Sequence, residues 1–219
     1  MPQIKLFDTT LRDGAQGEGI SYSVMDKIII AKELDKLGIH FIEAGWPGSN
    51  PKDMEFYRRM SELRLKQARL VAFGSTRKAH SKASEDNNLR AFLKSGVGVV
   101  TIFGKTWDLH VRDVLKTTLD ENLNMIKDTV AFLVSKGLVV FYDAEHFFVA
   151  YQANKEYSLK CLEAAQDAGA DAVVLCDTNG GMVTSGVDRV VREVRPEVRV
   201  KLGIHCHNDA GLAVANTLA

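Results

Sequence analysis

The stretch VVFYDAEHFFVAYQANKEYSLKCLEAAQDAGADAVVLCDTNGG (139–181) decides the fold. It opens on a short apolar run, VVFYDAE (139–145), passes through a helical stretch that Gly169 closes, and reaches a second apolar run, AVVLCDT (172–178). Both runs are near-continuously apolar, as strands covered on two faces are, instead of alternating as half-solvated strands do. Two such runs joined through a helix predict a parallel βαβ unit with a right-handed crossover.

Outward from it the same rhythm repeats. IKLFDTT (4–10), FIEAGW (41–46), RLVAFG (69–74) and GVVTIFG (98–104) precede the unit, and VKLGIHC (200–206) follows it, which makes seven candidate strands. Recognisable helix ends lie between them. Ser23 and Asp26 form a capping box before VMDKIIIAKELDKL, and Asn50-Pro51 reads as an N-cap with proline at the first helical position. Gly96, Gly137 and Gly169 stand where left-handed C-terminal caps belong, and Pro196 stops the helix begun near Thr184. No Pro/Ser-rich linker interrupts the series, and a doubly wound sheet would usually carry a glycine fingerprint after its first strand, where none is present. The expectation is therefore an α/β protein, a (β/α)₈ TIM barrel truncated after strand seven, since a full barrel takes ~250 residues. Residues 1–219 would form one catalytic barrel domain, incomplete at the C-terminus because DAGLAVANTLA (209–219) begins a helix and stops without a cap.

Composition narrows the function classes. The chain has 219 residues, 28 Lys+Arg against 28 Asp+Glu, and 46% hydrophobic residues. Zero net charge gives no electrostatic reason for a nucleic-acid or anionic-membrane partner. MPQIKLFDTT does not read as a signal peptide, and no apolar run approaches the ~18 residues that span a bilayer. Cys161, Cys176 and Cys206, odd in number and set inside predicted helix or strand, read as buried thiols of a reducing, cytoplasmic compartment.

Polar residues gather where the apolar runs end. In LRDGAQ (11–16), Arg12 and Asp13 stand side by side on a turn closed by Gly14, with Gln16 beside them; a solvated surface ion pair is the plain alternative. In IHCHND (204–209), His205 and His207 leave one face of a strand while Cys206 leaves the other. Two convergent imidazoles suit a divalent metal, Asp13 at the same end of the sheet completes a His₂–carboxylate set, and Asn208 and Asp209 follow to support it. The alternative is a pair of core or loop histidines. DAEH (143–146) and CDTNGG (176–181) supply Asp143 and Glu145 as acid/base candidates and Thr178 as a hydroxyl donor to a substrate carboxylate, unless Thr178 and Asn179 are merely helix caps. Glu43 and Arg77, after strands two and three, join the candidates, Arg77 as a partner for phosphate or carboxylate. Trp46-Pro47-Gly48 reads as loop packing, and His146-Phe147-Phe148 as a cover for the barrel top.

LRDGAQ together with Lys27, and LGIHCHNDAGLAVAN (202–216), resemble the two signatures of the α-isopropylmalate, homocitrate and citramalate synthases, members of the DRE-TIM metallolyase group of (β/α)₈ barrels. Within that group GEGISYSVMDK (17–27), EAGWPGSNPKD (43–53) and LCDTNGG (175–181) are most similar to the citramalate synthases, which serve isoleucine biosynthesis. The resemblance implies a metal-dependent Claisen condensation of acetyl-CoA with a 2-oxo acid, pyruvate giving citramalate and free CoA. It implies Mn²⁺, Mg²⁺ or Zn²⁺ on Asp13, His205 and His207, with Arg12 and Glu145 at the reacting atoms and Thr178 on the substrate carboxylate. It also implies a homodimer of a longer parent chain, whose strand-eight asparagine ligand, helical subdomains and regulatory domain would lie beyond Ala219. Isopropylmalate or homocitrate synthesis, an aldol-type lyase, a metal-dependent hydrolase and a non-catalytic barrel remain as alternatives.

Overall fold

The computed structural model describes residues 4–219; the first three residues of the N-terminal reading lie outside them. Seven strands run in parallel in one sheet, in chain order: β1 (Phe7–Asp8), β2 (Phe41–Glu43), β3 (Arg69–Ser75), β4 (Val99–Lys105), β5 (Val139–Glu145), β6 (Ala172–Asp177) and β7 (Lys201–Cys206). Between and after them lie α1 (Val24–Leu37), α2 (Pro51–Met60), α3 (Asn87–Ser95), α4 (Asp108–Asp113), α5 (Leu119–Ser135), α6 (Phe147–Ala153), α7 (Lys155–Asp167), α8 (Thr184–Val194) and α9 (Ala213–Leu218). Strand order equal to chain order is the topology of a barrel wound in one direction, and the sheet curls accordingly. Phe7 on β1 lies 6.0 Å from Phe141 on β5, ring centre to ring centre, across the interior.

Each strand sorts its side chains by the period of two. On β5, Val140, Tyr142 and Ala144 face the helices and join the main apolar core, whereas Phe141 lies inside the curl with Val71, Val99 and Ala172 as a separate plug. The residues two and four beyond Phe141 on the inward side are Asp143 and Glu145. The barrel is thus filled with apolar side chains at one end and lined with carboxylates at the other, where the strands point.

The helix ends are those expected from sequence. Ser23 and Asp26 exchange both hydrogen bonds of a capping box, Asn50 accepts from the Lys52 N–H, and the chain after Val194 tightens into a 3₁₀ turn over Arg195–Glu197 that contains Pro196. Two strands are shorter than expected. β1 stops at Asp8 because the Asp8 carboxylate accepts from the backbone N–H and hydroxyl of Thr10, and Thr9 O then accepts from the Arg12 and Gly14 N–H groups. β2 stops at Glu43 because Gly45 takes φ +146°, where a Cβ would lie 2.3 Å from the Asp53 carboxyl carbon. Cys161 and Cys176 are buried as expected, but Cys206 is only half-buried. No helix among the described residues is long and apolar enough to cross a membrane.

One polar contact ties the helical layer to the sheet. Asp35, buried near the end of α1, accepts backbone N–H groups from Lys66, Gln67 and Ala68 at 2.7, 2.8 and 2.8 Å, which fixes the entry to β3. Asp35→Ala is expected to lower the unfolding free energy by ~2 kcal/mol, the cost of losing three part-buried hydrogen bonds to a charged group. A urea midpoint equal to the parent's would refute this.

Candidate active site

At the carboxyl ends of the strands a cavity of about 510 Å³ is bordered by Arg12, Asp13, Gln16, Asp143, Glu145, Thr178, His205 and His207. The turn after β1 and the end of β7, far apart in sequence, meet there. Asp13 Oδ2 lies 3.3 Å from His205 Nε2 and 3.1 Å from His207 Nε2. His205 is the penultimate residue of β7 and His207 follows directly after the strand's last residue, Cys206, so the spacing of two that the strand imposes turns both imidazoles to one side. The hydrogen bond with His205 holds the Asp13 carboxyl well below the usual range, against the opposing effect of burial, with Arg12 adding to it. Burial works against protonating His205, and its contact with Asp13 and the nearby Asp143 more than offset this, so its pKa rises.

Three donors converging on one point, two imidazole nitrogens and one ionised carboxylate oxygen, are what a divalent cation takes. The three ligand atoms lie within 4.8 Å of one another, a spacing that fits such an ion.

Arg12 is built in from behind. Its guanidinium lies 3.7 Å from the ring centre of Phe73, Nε donates to Glu43 Oε1 at 2.6 Å, and Nη1 lies 3.2 Å from Asp13 Oδ1. Burial disfavours its charge, and Glu43 and Asp13 outweigh that, so its pKa rises. Glu43 is fully buried, and its second oxygen, Oε2, has no hydrogen-bond partner. Glu43 therefore does not border the cavity; it holds the guanidinium that does. Burial pushes the pKa of Glu43 up while Arg12 pulls the other way, and burial likewise pushes Asp143 up.

On the opposite wall Glu145 is ion-paired with Lys105, the last residue of β4, and Thr106 Oγ1 donates to the Glu145 carbonyl at 2.5 Å. Thr178 caps no helix: its Oγ1 accepts from the His146 N–H at 2.9 Å, which leaves the hydroxyl proton free to donate. α8 begins instead after Val183, with no side-chain cap.

Other candidates are placed differently. Arg77 does not border the cavity; it is buried against Glu121 at 2.8 Å and Asp128 at 2.7 Å, because the chain after β3 turns outward to α5. Asn208 Oδ1 accepts from the Ala213 N–H at the start of α9, and Asp209 packs against Gly180, so both serve the loop and not the histidines. Two residues were missed. Trp46, read as loop packing, stands edge-on to Phe73 and Phe103 and forms an aromatic wall of the cavity, its indole N–H bonded to Asn88. Lys105 was passed over, although a lysine at the end of an apolar run carries the same signal that singled out Glu145.

The sequence model of the HMGL-like family matches residues 3–219. An (R)-citramalate synthase from Geobacter sulfurreducens is 53% identical over the whole chain, and a homocitrate synthase from Methanothermobacter thermautotrophicus is 34% identical over 99% of it. The chain spans 41% and 52% of their lengths, respectively. The fold is similar to that of the HMG-CoA lyase from Bacillus subtilis, with a TM-score of 0.81 at 19% identity over 99% of this chain and 72% of that one. A seven-strand parallel curl, metal-ligand spacing at its open end and a family match running from residue 3 to residue 219 agree, and the chain belongs to the HMGL-like family.

Proposed function

We propose that these residues belong to a citramalate synthase, which condenses acetyl-CoA with pyruvate and releases citramalate and CoA. The observation that carries this reading is whole-chain identity of 53% with a citramalate synthase against 34% with a homocitrate synthase, the same cavity residues being compatible with either. The protein is a cytoplasmic homodimer on this reading, and the 219 residues are one part of its catalytic barrel.

Asp13, His205 and His207 would hold a divalent ion, Mn²⁺, Mg²⁺ or Zn²⁺. When bound, that ion supplies Lewis acidity toward the ketone and carboxylate oxygens of the keto acid. The chain's own groups do the rest. Thr178 donates its hydroxyl proton to the keto-acid carboxylate. Glu145, fixed by Lys105, takes a proton from the acetyl methyl group, and the carbon so freed forms the new bond to the ketone carbon. The ketone oxygen gains the electron pair, and Arg12, with Nε committed to Glu43, turns its remaining N–H donors toward it. Water then cleaves the thioester, leaving the citramalate carboxylate and the CoA thiol.

The test is CoA release from acetyl-CoA with Mn²⁺ or Mg²⁺ and pyruvate, 2-oxoisovalerate or 2-oxoglutarate in turn. Release with pyruvate alone, lost on chelation and restored by added metal, is the expected result. Preference for another acid would overturn the substrate, and no release with any of them would overturn the reaction. Thr178→Val is expected to raise KM for pyruvate about tenfold with a smaller change in kcat, as loss of one ~1.5 kcal/mol hydrogen bond to a charged group predicts. An unchanged KM would remove Thr178 from the carboxylate.

A further inference from the structure

Beside the Asp13–His205–His207 set lies another cluster. The sheet register pairs Cys176 on β6 directly with His205 on β7, and Asp143 on β5 with Val174, two residues before Cys176 on the same face. The parallel ladder therefore brings a carboxylate, a thiol and an imidazole to one inward-facing patch. One ligand atom from each lies within 4.8 Å of the other two. All three residues border the cavity, so an ion has a path to them, yet Asp143 and Cys176 are 7% and 6% exposed. Beyond a 3.7 Å contact with Val174 O, the Cys176 thiol makes no hydrogen bond among the described residues.

We propose that Asp143, Cys176 and His205 form a second cation site, selective for a thiophilic divalent ion such as Cd²⁺ or Zn²⁺, that shares His205 with the first set. The two sets differ in softness. Asp13, His205 and His207 offer one oxygen and two nitrogens, which suit hard and borderline ions. Asp143, Cys176 and His205 offer one oxygen, one nitrogen and one sulfur, and a thiolate ligand selects soft and borderline ions over Mg²⁺ or Mn²⁺. Binding replaces the thiol proton by the metal–sulfur bond, and the proton leaves to solvent. Sharing one imidazole couples the sites, so a thiophilic ion competes with a harder ion for His205. The proposal needs no particular reaction at the cavity and stands whether or not the condensation above is correct.

Titration of the purified protein with Cd²⁺, followed by the ultraviolet thiolate-to-cadmium charge-transfer band, tests it. The parent is expected to develop the band at one equivalent. His207→Ala, which removes a ligand of the first set only, should keep it, and Cys176→Ser should abolish it. Asp143→Asn, which leaves the thiol in place, should keep the band and weaken the affinity at least tenfold. Absence of the band in the parent overturns the site. Persistence of the band in Cys176→Ser does so equally, by assigning the sulfur to Cys206 or Cys161. An affinity unchanged in Asp143→Asn removes the carboxylate and leaves no three-donor site.

Discussion

Arg12→Ala is expected to lower kcat ~10²–10³-fold, because one preorganised donor facing a developing oxyanion is worth about that much. The same change should cost ~3–5 kcal/mol of stability at neutral pH, since it strips the counter-charge from a carboxylate the fold has buried completely. The two losses separate by pH and by a second substitution. Burial already lifts the Glu43 pKa against the pull of Arg12, and deleting Arg12 lifts it further. A carboxyl whose folded pKa stands above its unfolded value of ~4.3 binds more protons folded than unfolded between the two. The parent shares that dependence up to its own raised Glu43 pKa, so the variant should lose stability relative to the parent as pH rises above that point and regain it as pH falls back to it. Adding Glu43→Gln should restore most of the stability at neutral pH and none of the turnover. Denaturant midpoints at acid and neutral pH, read beside kcat, check both arms. A single variant as stable as the parent at every pH would show that the pair contributes nothing net.

How far the sequence revealed this site depended on where each signal lay. Arg12, Asp13, His205 and His207 were legible because their meaning is carried by short-range spacing: a turn directly after one strand, and two histidines separated by a period of two on another. Asp143 and Glu145 were legible for the same reason, both sitting on the inward parity of β5 and continuing the line that Phe141 begins. Trp46 was not. It lies past the early end of β2, and its place is set by Asp53 on α2, whose Oδ2 accepts from the Trp46 N–H at 2.9 Å, and by Asn88 on α3. Neither partner is a neighbour in sequence. Arg77 failed in the opposite sense. Its position after a strand was right for the cavity, but the chain turns outward there and its guanidinium is taken by Glu121 and Asp128 from α5. Parity along a strand is local chemistry, whereas the direction of a loop after the strand is decided by tertiary partners.

Lys27 is the clearest case of a residue whose motif was visible and whose role was not, and Lys27→Met is expected to destabilise the protein by ~3–5 kcal/mol. Lys27 on α1 is buried, with Nζ donating to the Ala44 carbonyl at 2.8 Å and to Asp53 Oδ1 at 2.5 Å. Asp53 is buried in turn and stands in the first turn of α2, where the helix N-terminus favours a negative charge. Removing the ammonium leaves that carboxylate buried with only backbone partners. The effect should reach the cavity, because the same carboxylate fixes the backbone of Trp46 and fills the space that forces Gly45 to φ +146°. An exposed ion pair would contribute under ~1 kcal/mol, so the magnitude discriminates between a buried strut and a surface contact. Asp53→Asn keeps an oxygen for the Trp46 N–H while removing the charge. In a double-mutant cycle of the two, the second substitution should cost far less once the first is present. Tryptophan fluorescence should shift with Lys27→Met in the folded state, as the aromatic wall of Trp46, Phe73 and Phe103 loosens. Additive losses in the cycle, or an unfolding free energy within ~1 kcal/mol of the parent's, would show that Lys27 and Asp53 do not support each other.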